Sequence, residues 1–198
     1  MDELSVATKV DPLEFRLSEV LLAAADRAGW ESRPPPNVKQ EVRADGRGLA
    51  FARYENNQAI VACIAFVAVD SDSGSTRVKR VVVAHDCGLI INPDGVRNQI
   101  EGNVIQSLSR ALKEEVKFDQ VQVTSVDWDS YPILTFSEVP EVEMVLINRP
   151  DQPALGAGEP AQITTAAAVA NAIFDATGAR IRQIPFTPER IKKALDKG

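Results

Sequence analysis

An α+β fold, a mixed sheet with packed helices preceded by a short helical segment, is predicted by three features of this sequence. Ile60 to Val69 is an apolar, β-rich run. After a polar stretch containing Gly74, Arg77 to Ala84 resumes with alternating residues and the three successive valines Val81, Val82 and Val83. Two such runs joined by a polar turn signal a β-hairpin. Helical periodicity then appears in separate segments interleaved with further strand-like ones. The resulting order (helices, hairpin, helix, strand, strand, helix, strand, helix) is a mixed architecture, not a regular βαβ array.

Each element has its own justification. Residues 2–9 read as helical. Asp11-Pro12-Leu13-Glu14 is a helix start, with an Asp cap, Pro at the first position and Glu three residues after the cap. The run to Gly29 places Leu13, Leu17, Val20, Leu21 and Ala24 on one face, and Trp30 ends it. Pro34-Pro35-Pro36 is a stiff, extended stretch. This divides the chain into an N-terminal helical segment (1–31), a Pro-rich linker (32–47) and an α+β domain (48–198).

Within that domain, Asn92-Pro93-Asp94-Gly95 reads as a turn. Val96 to Val116 reads as a helix with Ile100, Val104, Leu108, Ala111 and Leu112 on one face. Lys117 to Trp128 and Val139 to Asn148 are expected strands, the second with a wetter face carrying Glu141 and Glu143. Residues 149–158 form a Pro/Gly loop, and residues 160–177 a helix. Pro160 suits its first position, and Gly178 its C-cap. Ile181 to Ile184 is an expected short strand, and Thr187-Pro188-Glu189 caps a last helix.

Composition narrows the function. The 198 residues are 44% hydrophobic and 25% charged, with a net charge of -6. That is an ordinary globular profile. The basic residues are scattered, which argues against a nucleic-acid surface. No apolar run reaches the length of a membrane span. Met1-Asp2-Glu3-Leu4 lacks the basic region of a secretory signal. Cys63 and Cys87 are the only cysteines, with no C-x-x-C, so neither an iron–sulfur cluster nor a zinc site is encoded. They are expected as two buried thiols. His85 is the only histidine, which excludes two-histidine metal motifs, and no metal ligands are assigned.

The chemistry centres on Gly156-Ala157-Gly158-Glu159-Pro160. Glu159 is either an acidic residue at a helix start, favoured by the dipole, or a catalytic base. Paired glycines fix a loop of the kind used where backbone approaches a ligand. Apolar neighbours suggest that Glu159 is buried, with burial and dipole pulling its proton affinity in opposite directions. A phosphate cradle on the same loop is disfavoured, because it carries no Lys or Arg and Glu159 would repel the anion. His85-Asp86-Cys87 resembles a nucleophile relay, but neighbours on a strand point to opposite faces. Gly102, early in a helix just after Gln99-Ile100-Glu101, is costly unless something packs closely there.

Five ordered motifs together resemble one family: Asp11-Pro12-Leu13-Glu14-Phe15-Arg16-Leu17; His85-Asp86-Cys87-Gly88 with Asn92-Pro93; Gln99-Ile100-Glu101-Gly102; Gly156-Ala157-Gly158-Glu159; and Ala170 to Gly178. The chain resembles the C-terminal portion of the molybdopterin-binding large subunit of the xanthine dehydrogenase/aldehyde oxidase family of molybdenum hydroxylases. The wording Ser137-Glu138-Val139-Pro140-Glu141-Val142 is most similar to the branch of isoquinoline 1-oxidoreductase β-subunits. One departure is Gln106-Ser107, where the family usually has Gln-Gly.

The resemblance implies a molybdenum–pterin cofactor shared with segments upstream of this chain, and an α+β cofactor-binding domain. It implies oxidative hydroxylation of an aldehyde or N-heterocyclic aromatic with water as the oxygen source. Glu159 would be the base, Gln99 a hydrogen-bond partner of the pterin, and Gly156 and Gly158 the residues that let the loop pack against the metal site. Family large subunits are several times longer. The expected partners are therefore the remainder of the large subunit, a small subunit carrying [2Fe–2S] clusters, and a small-molecule substrate. The alternative is a folded module, inactive alone, that serves subunit assembly.

Overall fold

The structure, a computed structural model, describes residues 19–31, 43–55 and 59–196. The expected helix at residues 2–9, the Asp11-Pro12 start and Pro34–Pro36 lie outside the described residues. The elements in order are α1 (Glu19–Ala28), β1 (Arg43–Arg53), β2 (Ile60–Asp70), β3 (Thr76–Asp86), α2 (Pro93–Leu112), β4 (Glu141–Ile147), α3 (Gln162–Thr177) and α4 (Pro188–Leu195). A 3-10 turn spans Phe136–Glu138.

The four strands form one mixed sheet in the order β1-β2-β3-β4. The first two pairings are antiparallel, and β3 pairs with β4 in parallel. A parallel pair needs a crossover, and α2 lies within it. The α+β expectation is thus realised. The β2–β3 hairpin turns at Asp70, whose Oδ1 accepts from the backbone of Ser73 at 2.9 Å, and Gly74 takes φ +75°.

Helices cover both faces. Val61, Cys63, Ala65, Val81 and Val83 meet α2, α3 and Ile191 of α4. Leu49, Ala62, Ile64, Val82 and Ala84 meet α1 through Val20, Leu21, Ala24 and Ala25. β2 is therefore buried on both sides, which explains its nearly unbroken apolar sequence. Ion pairs pin α1 at its rim: Glu143 on β4 pairs with Arg27 at 2.5 Å and also with Arg80. Arg149 bridges Glu19 at 2.6 Å and Asp86 at 3.0 Å.

Several boundaries differ from the sequence expectation, each for a physical reason. β1 begins at Arg43, inside the stretch expected as linker. Its glycines hide it, because Gly46 and Gly48 supply no side chains for a periodic pattern. They do supply room: Ala168, Ala172 and Ala176 on α3 pack directly over them. As the edge strand, β1 leaves backbone groups unpaired. α3 takes two of them, with Asp175 Oδ2 accepting from Arg47 N and Asn171 Nδ2 donating to Leu49 O, both at 2.9 Å.

Asn92-Pro93 is a helix cap and not a separate turn. Asn92 Oδ1 accepts from Gly95 N at 3.0 Å, and α2 starts at Pro93. The expected strand over 117–128 is an irregular arm with one isolated bridge, Phe118 to Val123. Its β-forming residues pair with no strand of the sheet among the described residues. Ile181–Ile184 is also not a strand: the nearby Phe186 N donates to Ala111 O at 2.6 Å, at the end of α2. α3 starts at Gln162 and not at Pro160, and it ends as expected on Gly178 at φ +74°. Thr187 caps α4.

Candidate functional site

The strand register places one end of the sheet under the site. Arg53, Ile60, Asp86 and Ile147 are in line across it. The β1–β2 turn, the segment after β3 and the loop after β4 therefore all emerge at the carboxyl end of the parallel pair. Ligands of open sheets commonly bind at such an end.

The loop after β4 is held at several points. Arg149 N donates to Gly88 O at 3.0 Å, and Leu155 N to Cys87 O at 2.9 Å. Gly88 has φ +73°, and any Cβ there would lie 2.0 Å from Pro153 O, so this crossing requires glycine. A cleft of about 280 Å³ opens beside it, lined by Ile60, Asp86, Arg149 and Leu155 among others.

The structure brings Gln99, Gly158 and Glu159 together. Asn103, one helical turn after Gln99, donates from Nδ2 to Gln99 O at 2.5 Å and to Gly158 O at 2.8 Å. A Cβ on Gly158 would find Gln99 Oε1 at 3.7 Å, while Gly156 and Gly102 face open space. Gln99, Gly156, Gly158 and Glu159 are all exposed. Asn103 is buried, and its Oδ1 has no hydrogen-bond partner.

Glu159 departs from the expected burial: it is exposed, and so are Ala154 and Ile163, while only Pro160 and Ala161 beside it turn into the core. It is not a helix-capping group either. Its backbone O accepts from Gln162 N at 2.9 Å, in the turn ahead of α3. Its Oε2 accepts from the Tyr54 hydroxyl instead. That bond, ahead of burial and the charges of Glu159 and Glu55, holds the Tyr54 phenol above the usual tyrosine range. The open space over Gly102 also means that no described residue makes the close approach expected there.

The His85-Asp86-Cys87 segment divides as strand geometry requires. His85 is fully buried with both ring nitrogens unpartnered, and burial pushes its pKa down to about 4. Asp86 is engaged by Arg149 and by Gly88 N. Cys63 and Cys87 are buried free thiols. Where the family usually carries glycine, the Ser107 hydroxyl donates to Gln162 O at 3.1 Å, tying α2 to the start of α3. No group of three His, Cys, Asp or Glu side chains able to hold a metal occurs among the described residues. No described helix is long and apolar enough to cross a membrane.

Two site residues escaped the sequence reading. Asn103 carried a signal: it is a polar residue between Ile100 and Val104, on the buried side of α2. Tyr54 carried none, since it follows a strand that the glycines conceal.

A family model described as "Molybdopterin cofactor-binding domain" matches residues 18–140. This chain belongs to the molybdopterin cofactor-binding domain family. The resemblance to the xanthine dehydrogenase/aldehyde oxidase group is borne out by its relatives. It is 45% identical to one subunit of the nicotinate dehydrogenase of Pseudomonas putida, over 98% of this chain and 18% of that protein. It is 30% identical to the beta subunit of isoquinoline 1-oxidoreductase of Brevundimonas diminuta, over 95% of this chain and 24% of that one. Among solved structures, quinoline 2-oxidoreductase from Pseudomonas putida 86 superposes with a TM-score of 0.65 at 33% identity, covering 70% of this chain and 19% of that one. The chain thus spans about a fifth of the length of the curated relatives it matches.

Proposed function

We propose that this molybdopterin cofactor-binding domain works within a larger molybdenum hydroxylase, with Glu159 as the base in oxidative hydroxylation of an aldehyde or N-heterocyclic aromatic. The observation that carries the reading is the use of Glu159. A carboxylate that neither caps the helix nor joins an ion pair among the described residues is held at the carboxyl end of the sheet, beside Gln99, Gly158 and the open Gly156.

The residues fit a polar, multi-ring cofactor. Gln99 presents an exposed amide with no partner among the described residues; Gly156 leaves the approach to the backbone clear, and Gly158 lies against Gln99 with no side chain between. Buried Asn103, with Oδ1 unpartnered, sets the spacing between the helix and the loop. When bound, the molybdenum–pterin group supplies the two-electron acceptor that the reaction needs.

Replacing C–H by C–OH with water consumes one water and releases two protons and two electrons. Glu159 takes one of those protons on Oε1, while Oε2 keeps the Tyr54 hydrogen bond. Gln99 orients the pterin, and the glycine loop brings the carboxylate close without a side chain intervening. The two buried cysteines cannot hold a cluster, so the electrons leave through groups outside these residues. A small subunit with [2Fe–2S] clusters and the remainder of the large subunit complete the enzyme.

Glu159→Gln in the complete complex tests this. Turnover falls at least about a hundredfold with molybdenum content unchanged. Turnover within about threefold of wild type, on the same scale of loss, would overturn the assignment.

A second reading, a module inactive alone that serves assembly, is favoured by the exposed arm after α2. Val121 and Phe136 are 89% and 100% exposed, and Phe118, Val126 and Trp128 are also open, a surface suited to a protein neighbour. Metal analysis of the purified chain separates the two readings, since stoichiometric molybdenum bound to this chain alone contradicts the second.

A further inference from the structure

We propose that Tyr54 is the positioning residue of this site: its phenol, anchored at the β1–β2 turn, fixes the Glu159 carboxylate through Oε2 and leaves Oε1 to take the proton. The inference rests on the reading of Glu159 as the base. A carboxylate on an exposed loop has three rotatable bonds and no packing to select a rotamer. General-base catalysis needs the accepting oxygen held in one place. A phenol is a rigid group with two side-chain torsions, and a hydrogen bond to a charged oxygen is among the stronger kinds.

Tyr54 is suited to the task by its anchorage. It follows the last rung of the hairpin, Arg53 opposite Ile60. Its backbone N donates to Ala59 O at 2.8 Å, and Ala59 is completely buried. The contact joins residues 105 positions apart, so local chain geometry does not produce it. Nor does the loop need it to hold its path. That is secured by Asn103 at Gly158 O, by Gln162 N at Glu159 O and by Leu155 N at Cys87 O. The phenol therefore acts on the carboxylate and not on the backbone. The charged groups acting on it are Glu159 and Glu55, both acidic, and they keep the phenol protonated and donating.

The test uses the complete molybdenum complex and two kinds of readout. In Tyr54→Phe, kcat falls about tenfold, the scale of one hydrogen bond to a charged group, with KM and molybdenum content as in wild type. A contribution to folding alone would instead lower metal content or thermal stability. The second readout is independent of turnover: the phenolate absorbance difference between wild type and Tyr54→Phe follows the titration of Tyr54. Its midpoint lies above 10.0 in wild type and falls back toward that value in Glu159→Gln. Wild-type kcat in Tyr54→Phe, or a Tyr54 midpoint unmoved by Glu159→Gln, would overturn the proposal. Full turnover in Glu159→Gln would remove the base, and the positioning role with it. That failure shows in a different variant and leaves the phenolate titration intact.

Discussion

Gly48 on β1 and Ala172 on α3 approach so closely that a methyl group on the glycine would lie 2.2 Å from the Ala172 backbone nitrogen. The Ala168 carbonyl would be 2.3 Å away, so the obstruction is backbone on both sides and cannot rotate aside. Gly48→Ala is expected to cost about 3 kcal/mol or more, seen as a lowered denaturant midpoint. Gly102→Ala is the control. A Cβ there meets nothing, and the residue is interior to α2, so the change stabilises the chain by about 1 kcal/mol.

Asn103 donates to two carbonyls, Gln99 O and Gly158 O. Asn103→Asp keeps its shape but turns the donor into an acceptor facing two acceptors. The loss is expected at about 1–3 kcal/mol, with the loop carrying Glu159 detached from α2. Hydrogen exchange at the amide of Gln162, which donates to Glu159 O, should accelerate. Unchanged exchange would show that the loop is held without this side chain.

His85 titrates near 4 because burial disfavours its charged form, partly offset by Asp86. An unfolded histidine binds its proton near 6.5, so between those values the unfolded chain takes up a proton that the folded chain refuses. The stability contribution is complete above pH 6.5 and is lost as pH falls toward 4, by about 3 kcal/mol in all. His85→Leu removes two unpartnered buried nitrogens. It should be at least as stable at pH 7, with a flatter stability profile below 6.5, measured by urea unfolding at several pH values.

Cys63 lies on β2 with its side chain fully buried, and burial pushes the thiol up to about 12 despite hydrogen bonds to Thr165 and Thr164. Since the thiolate is the reactive form, labelling by a disulfide reagent at pH 8 should be on the order of a thousandfold slower than for an open cysteine. Denaturant should release it. Fast native labelling of Cys63 would mean that the sheet opens locally.

Much of the fold was legible because it obeys local rules. The β2–β3 hairpin, the Thr187 cap of α4 and the Gly178 end of α3 each follow from a few adjacent residues. The missed pieces share one cause: their structure depends on distant partners. β1 looks like a linker because its glycines exist for α3, across more than a hundred residues. The 117–128 arm has strand-forming residues, but among the described residues it joins neither edge of the sheet. At the site, the closeness of Gln99 and the Gly156–Glu159 loop could not be read from spacing, because Asn103 makes that junction across 55 residues.

The family, the mixed α+β class and the loop that carries Glu159 could be read from the chain alone. Those rest on residue identity in short runs and on hydrophobic periodicity, which act locally. The environment of Glu159 came from tertiary packing: exposed instead of buried, ahead of the helix instead of capping it, and held by Tyr54. Exposure and hydrogen-bond partners depend on which surfaces meet once the sheet has paired and the helices have packed. Apolar neighbours in sequence do not bury a side chain that the backbone turns outward.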